Sequence, residues 1–253
     1  MYPAERQREI VRIAQQNEGS VAVGSLADAL SVAPETVRRD LAVLERQGVI
    51  ARRHGGASLV GPVPFEASLA RRNQEERAEK ERIVQRIIEM LPEDGVVLLD
   101  SGSLAYLIAE AFPDREQTVV TNNIAALPIL RRRTRLTVLA LPGRLRPVTQ
   151  AAVDTWTARR LADLHVDVAV LGANGVTVDA GATTTTPEEA QVKAAMLRTG
   201  RRRVLAVTAS KLGLTSFCRF ADLSDFDAIV TDDRVPDDDA AAISAAGPEL
   251  VVV

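Results

Sequence analysis

From residue 96 onward the chain repeats one pattern, a short apolar run followed by a stretch with helical periodicity. The runs fall at 96–99, 119–120, 136–141, 166–171, 204–207, 228–230 and 250–253, with helical stretches such as 103–112, 123–132 and 187–199 between most of them. A largely apolar run too short for a helix, interrupted here only by Thr137 and Asp167, suits a strand buried on both faces. Parallel strands need a crossover connection, usually a helix, and the intervening stretches have the length for it. The pattern predicts a mostly parallel sheet covered on both faces by helices.

The first sixty residues follow another plan. Ile10, Val11, Ile13 and Ala14 stripe one helix, which the polar run 15–19 ends. Residues 20–23 alternate like a short strand. Leu26, Ala27, Ala29 and Leu30 form the inner face of a second helix, and Ser31-Val32-Ala33 is a tight connector. Pro34 opens a third helix, where its missing N–H costs nothing. Val37, Leu41 and Leu44 are that helix's seam and Gly48 its stop. Residues 49–53 and 57–60, on either side of His54-Gly55-Gly56, read as a two-stranded wing. Gly61-Pro62-Val63-Pro64 favours an extended linker. A long charged helix from about Phe65 to Leu91 then carries Ile83, Ile87, Ile88 and Leu91 on one stripe. The expected division is a winged helix-turn-helix over 1–60, a linker and connecting helix over 61–94, and an α/β domain over 95–253.

A chain of 253 residues suits one larger domain and a small one, and 46% apolar with 26% charged residues is ordinary for a globular protein. Cys218 is the single cysteine, and His54 and His165 form no ligand-spaced pair. Neither a disulfide, a metal nor a cofactor is therefore expected. No apolar stretch reaches membrane-spanning length and the N-terminus lacks a signal-peptide run, so the expectation is a cytoplasmic protein without a membrane partner.

The net charge of −3 hides a local concentration of base. Arg38, Arg39, Arg46, Arg52, Arg53 and His54 crowd one window, while Asp232-Asp233 and Asp237-Asp238-Asp239 supply offsetting acid. Glu35, Thr36, Arg38, Arg39 and Arg46 lie off the Val37/Leu41/Leu44 seam and face outward. Pro34 begins the turn that would enter the major groove, where arginine pairs bidentately with guanine. Arg52, Arg53 and His54 on the wing suit phosphates or a minor groove. An arginine pair on a helix is most often solvated surface; joined to three short helices and an arginine-rich hairpin it points to double-stranded DNA. Asp40 is expected to orient Arg38 or Arg39, or to face the neighbouring helix. Because helix-turn-helix proteins usually read repeated half-sites, a homo-oligomer, at least a dimer, is expected.

In the larger domain four strands end in small polar or glycine-rich residues. They are Asp100-Ser101-Gly102-Ser103, Thr121-Asn122-Asn123, Pro142-Gly143-Arg144 and Gly172-Ala173-Asn174-Gly175. Open α/β sheets bind ligands outside the carboxyl ends of their strands, and a helix N-terminus there cradles anions. A plain turn with a capping serine would look the same at any single end. Four such ends on one edge indicate a site. Only three of the 31 basic residues are lysines, Lys80, Lys193 and Lys211, and an ammonium is not equivalent to a guanidinium.

Residues 5–60 resemble the winged helix-turn-helix of the DeoR family of bacterial regulators. The stretches that carry the likeness are Thr36-Val37-Arg38-Arg39-Asp40-Leu41, Leu44-Glu45 with Gly48, and His54-Gly55-Gly56-Ala57. The resemblance continues through 66–72, Lys80, 99–103, 120–123, Gly143 with Leu145-Arg146, 172–175, Glu189-Ala190 with Lys193, Ser210-Lys211 and 229–232. It implies an effector domain similar in fold to ribose-5-phosphate isomerase. It also implies a repressor of sugar catabolism or uptake that a phosphorylated sugar, first of all fructose 1-phosphate, releases from its operator. It assigns Ser101, Gly102 and Ser103 to phosphate, and Asp100, Thr121, Asn122, Asn123 and Asn174 to hydroxyls. Lys193 and Lys211 become cationic contacts, and Gly143 and Glu189 join the effector-binding set. Three positions depart from the family: Ala33 where serine would cap the third helix, Pro142 in place of a glycine, and Thr208 where aspartate is usual. The last removes a partner for Lys211 or a sugar hydroxyl.

The rival reading is a sugar-phosphate isomerase with an added domain, for which Asp100, Glu189 and Lys193 have suitable chemistry. A DNA-binding domain on a short linker makes sense when ligand occupancy changes DNA affinity, so a regulator and no enzyme is expected. A third reading is a regulator whose ligand is a partner protein or a nucleotide; the absence of a GxGxxG after a strand argues against a dinucleotide.

Overall fold

Ile10, Val11, Leu26, Ala27, Leu30, Val37, Leu41, Leu44, Ile50 and Ala57 are buried together, the helical ones at positions that a 3.6-residue period turns toward one another. In this computed structural model, described for every residue except 1–2, 18–19, 47–49, 54 and 60–68, they join helices α1 (Pro3–Gln16), α2 (Val23–Leu30) and α3 (Pro34–Arg46) to strands β1 (Ser20–Ala22), β2 (Ile50–Arg53) and β3 (Gly56–Leu59). The expected two-stranded wing is β2 paired antiparallel with β3, and the short strand expected at 20–23 joins it as β1, antiparallel to β3. Ala29, expected on the inner face of α2, is exposed; it lies about 100° round the helix from Leu30. The expected stop at Gly48, the wing residue His54 and the linker at 61–64 lie outside the described residues.

Asp40 is buried and turns toward α1. Arg6 donates to it through Nε and a terminal nitrogen, and Gln7 Nε2 adds a bond of 3.1 Å. It holds two helices together and does not steer Arg38 or Arg39. Replacing Asp40 by Ala leaves two part-buried donors without this acceptor and is expected to cost about 1–3 kcal/mol. A chemical-denaturation midpoint that does not move would refute that role.

The chain divides into two units, Met1–Phe65 and Glu66–Val253. The second opens with α4 (Leu69–Gln74) and α5 (Arg77–Met90), so the single helix expected over 65–91 is broken. At the break Glu76 takes a φ of 52°. Lys80 donates to the carbonyls of Arg72 and Glu75, satisfying acceptors that the end of α4 would otherwise orphan.

The remaining elements are β4 (Val96–Leu99), α6 (Ser103–Ala111), β5 (Gln117–Thr121), α7 (Leu127–Leu130), β6 (Leu136–Ala140), β7 (Arg144–Arg146), β8 (Ala151–Val153), α8 (Thr155–Leu161), β9 (Val166–Leu171), β10 (Gly175–Thr177), β11 (Gly181–Thr184), α9 (Pro187–Thr199), β12 (Gly200–Ala206), β13 (Cys218–Ala221), β14 (Ala228–Thr231), α10 (Asp237–Ala245) and β15 (Glu249–Val252). The helix expected over 123–132 shrinks to a 3-10 turn and the single turn α7, since Pro128 fits only a first turn. All seven apolar runs became strands of one sheet, ordered β15-β14-β12-β9-β4-β5-β6 and parallel at every pairing. Alternate residues face opposite sides. Leu98, Val120, Leu205 and Ile229 pack with Val192 and Met196 of α9. Val97, Val119, Val170 and Val204 pack with Ile83 and Ile87 of α5 and Ile108 of α6.

The chain lays down β4, β5 and β6 outward in one direction, then returns to place β9 on the other side of β4. Strand order therefore reverses between β4 and β9, and a crevice opens there at the carboxyl ends.

Candidate effector cleft and nucleic-acid interface

Asp100 follows β4 and Gly172 follows β9, so both flank that reversal. Asp100 is 1% exposed. Its Oδ2 accepts the Gly172 N–H at 3.1 Å and the Lys193 ammonium, and Lys193 also donates to the Gly172 carbonyl at 2.9 Å. The ammonium, carried by α9, lies 5.5 Å from the centre of the Phe220 ring, close enough for a cation–π contact. A buried ion pair thus clamps the two strands whose ends open the crevice.

Above it, Gly102 caps α6 with φ 99°, a conformation that favours glycine. The bond from Tyr106 N–H to the Gly102 carbonyl, 2.9 Å, closes the first turn of α6. The N–H groups of Ser103, Leu104 and Ala105 precede it and are the free donors of a helix start. These residues line a cleft together with Ser101, Asn174, Glu189, Lys193 and Lys211. The connecting segment lines it too, through Arg72, Glu75, Glu76 and Lys80. A Cβ placed on Gly102 would lie 4.0 Å from Arg72 Nη1, which puts that guanidinium beside the turn. N–H donors, serine hydroxyls and a guanidinium around one turn form an anion cradle.

Glu189 is not poised for proton transfer. Its carboxylate is buried among Thr149 and Arg146 on Oε1 and Thr184 and Thr185 on Oε2, at 3.0–3.3 Å. Thr184 also lies 3.0 Å from Asn174 Oδ1. Glu189 therefore ties the β7–β8 hairpin and the end of β11 to α9, and through Thr184 it adjoins Asn174.

Thr121, Asn122, Asn123 and Gly143 do not line this cleft. Asn122 Nδ2 donates to the Ala152 carbonyl at 3.1 Å, Asn123 bridges Ala151, and Thr121 Oγ1 accepts the Asn123 N–H at 3.0 Å. These contacts seat the β7–β8 hairpin on the end of β5. At Gly143 a Cβ would fall 2.2 Å from Thr157 Oγ1, so glycine there allows α8 to pack closely.

The acid usual at position 208 is absent, and Thr208 donates instead to Glu76 Oε2 at 2.9 Å. Ser210 does the same at 2.9 Å, and Arg234 reaches Oε1 at 2.7 Å. Burial would raise the Glu76 carboxyl, but the hydrogen bonds from Thr208, Arg234 and Ser210 outweigh it and hold it below its ordinary range. Arg72, Glu76, Thr149 and Thr208 were not among the sequence candidates. A charged stretch with helical propensity reads as a solvated face, and within it the scarcity of lysine and the family resemblance at 66–72 and Lys80 were the signals available.

On α3, Pro34, Glu35, Arg38 and Arg39 are exposed and Thr36 is half-buried. Arg38 bonds Glu35 at 3.0 Å, an exposed pair of little net strength. Arg52 is exposed on β2, and its backbone N–H reaches Glu45. Arg46 and Arg53 lie in α3 and β2, with side chains outside the described residues, as is His54. Ser31, in left-handed conformation, closes the end of α2. The Ala33 carbonyl accepts from Thr36 and Val37. Among the described residues no group of three or more His, Cys, Asp or Glu is arranged to hold a metal ion, and no helix is long and apolar enough to cross a membrane.

Residues 6–62 match the model of the DeoR-like helix-turn-helix domain, and 75–233 that of the DeoR C terminal sensor domain. The HTH-type transcriptional regulator GlpR of Haloferax volcanii is 34% identical over 251 residues, covering 99% of this chain and 98% of that protein. The glycerol-3-phosphate regulon repressor of Escherichia coli strain K12 is 28% identical over 240 residues, 93% of each. A D-ribose-5-phosphate isomerase solved in complex with phospho-erythronic acid superposes on 54% of each chain with a TM-score of 0.40 and 14% identity.

Proposed function

The chain belongs to the DeoR family of transcriptional regulators, and on that premise we propose that it represses an operon of sugar or polyol metabolism until a phosphorylated sugar seats in the cleft. The anion cradle at Ser101–Ser103 carries this reading, placed where an open α/β sheet binds its ligands. Phosphate takes the α6 N–H groups, the serine hydroxyls and Arg72; Asn174 faces the sugar hydroxyls, and Lys211 adds positive charge. Lys193 and Asp100 hold the strand ends in register beneath. The relative whose name specifies glycerol 3-phosphate supports a small organic phosphate, and fructose 1-phosphate stays the first sugar to compare with it.

The likeness to an isomerase is one of fold, and the chain is a regulator and not an enzyme. Residues 1–60 meet DNA, 95–253 sense, and 61–94 join them. Because Arg72 and Glu76 of the joining segment line the cleft, ligand contacts fall on the segment that leads back to the DNA-binding unit. Release follows to the extent that the ligand prefers the arrangement that does not bind DNA. The active form is a homo-oligomer, at least a dimer, reading paired half-sites.

The test is operator binding by fluorescence anisotropy in fructose 1-phosphate, glycerol 3-phosphate or inorganic phosphate. One organic phosphate is expected to weaken operator binding at least about tenfold, and at 100 times its Kd to stabilise the free protein by roughly 2.7 kcal/mol. Undiminished operator affinity in saturating, demonstrably bound ligand would refute release.

A further inference from the structure

Glu76 stands where its local sequence does not ask for a break. Residues 69–90 hold neither glycine nor proline, yet the helix stops and Glu76 takes a left-handed φ of 52°, which L side chains rarely adopt. The result is a carboxylate facing the cleft, with its side chain 22% exposed. Thr208 and Ser210 have one hydroxyl proton each to give, and both lie 2.9 Å from Glu76 Oε2. The two hydroxyls also lie 3.0 Å from each other, so their protons are committed within this group and the side-chain oxygens of Glu76, Thr208 and Ser210 offer a ligand only acceptor lone pairs. The Ser101–Ser103 turn, Arg72 and Lys211 offer donors in the same cleft. A ligand that satisfies both carries an anion at one end and hydroxyl donors at the other.

Building on the effector reading above, we propose that Glu76 is a specificity-determining residue that accepts a hydrogen bond from a hydroxyl of the organic phosphate. Oε1 keeps a lone-pair direction beyond its bond to Arg234. Repulsion between the carboxylate and phosphate fixes which end of the ligand enters which part of the cleft, so hydroxyl-bearing phosphates are selected over the bare ion. Arg234 also bonds the buried Asp232 at 2.6 Å, which anchors the acceptor wall to the end of β14.

Calorimetric titration of the full chain with inorganic phosphate, glycerol 3-phosphate and fructose 1-phosphate tests the assignment. Glu76→Gln keeps the length and one acceptor oxygen but removes the charge. It is expected to weaken the better-bound organic phosphate about 10- to 100-fold while inorganic phosphate binds at least as well as before. Adding Thr208→Asp returns a carboxylate to the same wall and is expected to recover part of the loss. Unchanged organic-phosphate binding in Glu76→Gln, or an equal loss of inorganic phosphate, overturns the proposal. A wild-type chain that binds neither organic phosphate overturns the effector reading, and this proposal with it. If Glu76→Gln melts early, Glu76→Gly, which takes the left-handed backbone without strain, serves in the same comparison.

Discussion

Replacing Lys193 by methionine is expected to lower folding stability by about 3–5 kcal/mol. The ammonium is the cation on Asp100 Oδ2, and Asp100 is 1% exposed. Methionine fills similar space but leaves a charged carboxylate in the core, with the Gly172 N–H as its remaining donor on that oxygen. For a unit of this size the melting midpoint should fall by roughly 2–4 °C for each kcal/mol. The double variant Asp100→Leu with Lys193→Met removes both charges and is expected to regain much of that loss, since an apolar replacement of a buried pair is often neutral. It should not regain effector response, because the ends of β4 and β9 lose the link that aligns them. A single variant as stable as wild type would show that the pair does not clamp the crevice. A double variant that still responds to sugar phosphate would show that the alignment is not needed for sensing.

How the chain announces its fold follows from which contacts decide each element. The inner strands were legible because residues such as Leu98, Ala169 and Ile229 are buried from both sides of the sheet, and that demand writes apolar runs into the sequence; the edge strands β6 and β15 are largely apolar but partly exposed. The break at Glu76 was not legible. Its side chain meets Thr208, Ser210 and Arg234, partners 132, 134 and 158 positions away, and the local preference of 69–90 is uniformly helical. The small antiparallel pieces β7–β8 and β10–β11–β13 escaped for a related reason: three- or four-residue strands are too short to show a period.

The site was legible in part. Four polar or glycine-rich strand ends pointed to one edge of the sheet and the resemblance assigned Ser101–Ser103 to phosphate; the structure places those three residues on the cleft wall. Polar residues at the end of β5 look alike whether they face a ligand or a backbone. In the structure Asn122 Nδ2 bonds the Ala152 carbonyl and Asn123 pairs with Ala151 through its backbone, and nothing near residue 122 encodes that return of the chain. Glu189 looked like a free acid for the same reason, its hydroxyl partners being supplied by two other segments, at Thr149 and at Thr184-Thr185.

Arg39 and Arg52 are expected to separate recognition from attachment on the DNA side. Arg39 lies near the start of an exposed helix face, while its neighbour Arg38 is engaged by Glu35. If Arg39 pairs with a guanine edge, Arg39→Ala should weaken operator binding by about 1–3 kcal/mol and relax the preference at one base position, with little change on random DNA. Arg52 stands on the wing, where a side chain meets the phosphate backbone. Arg52→Ala should weaken operator and random DNA alike and reduce the slope of log affinity against log salt by about 1, one counterion fewer being released. Both side chains are exposed, so neither substitution should shift the melting midpoint of the free protein, and binding changes then report contact rather than folding. Equal losses on specific and random DNA for Arg39→Ala would move base reading to another residue of α3. A salt slope unchanged by Arg52→Ala would take the wing off the phosphates.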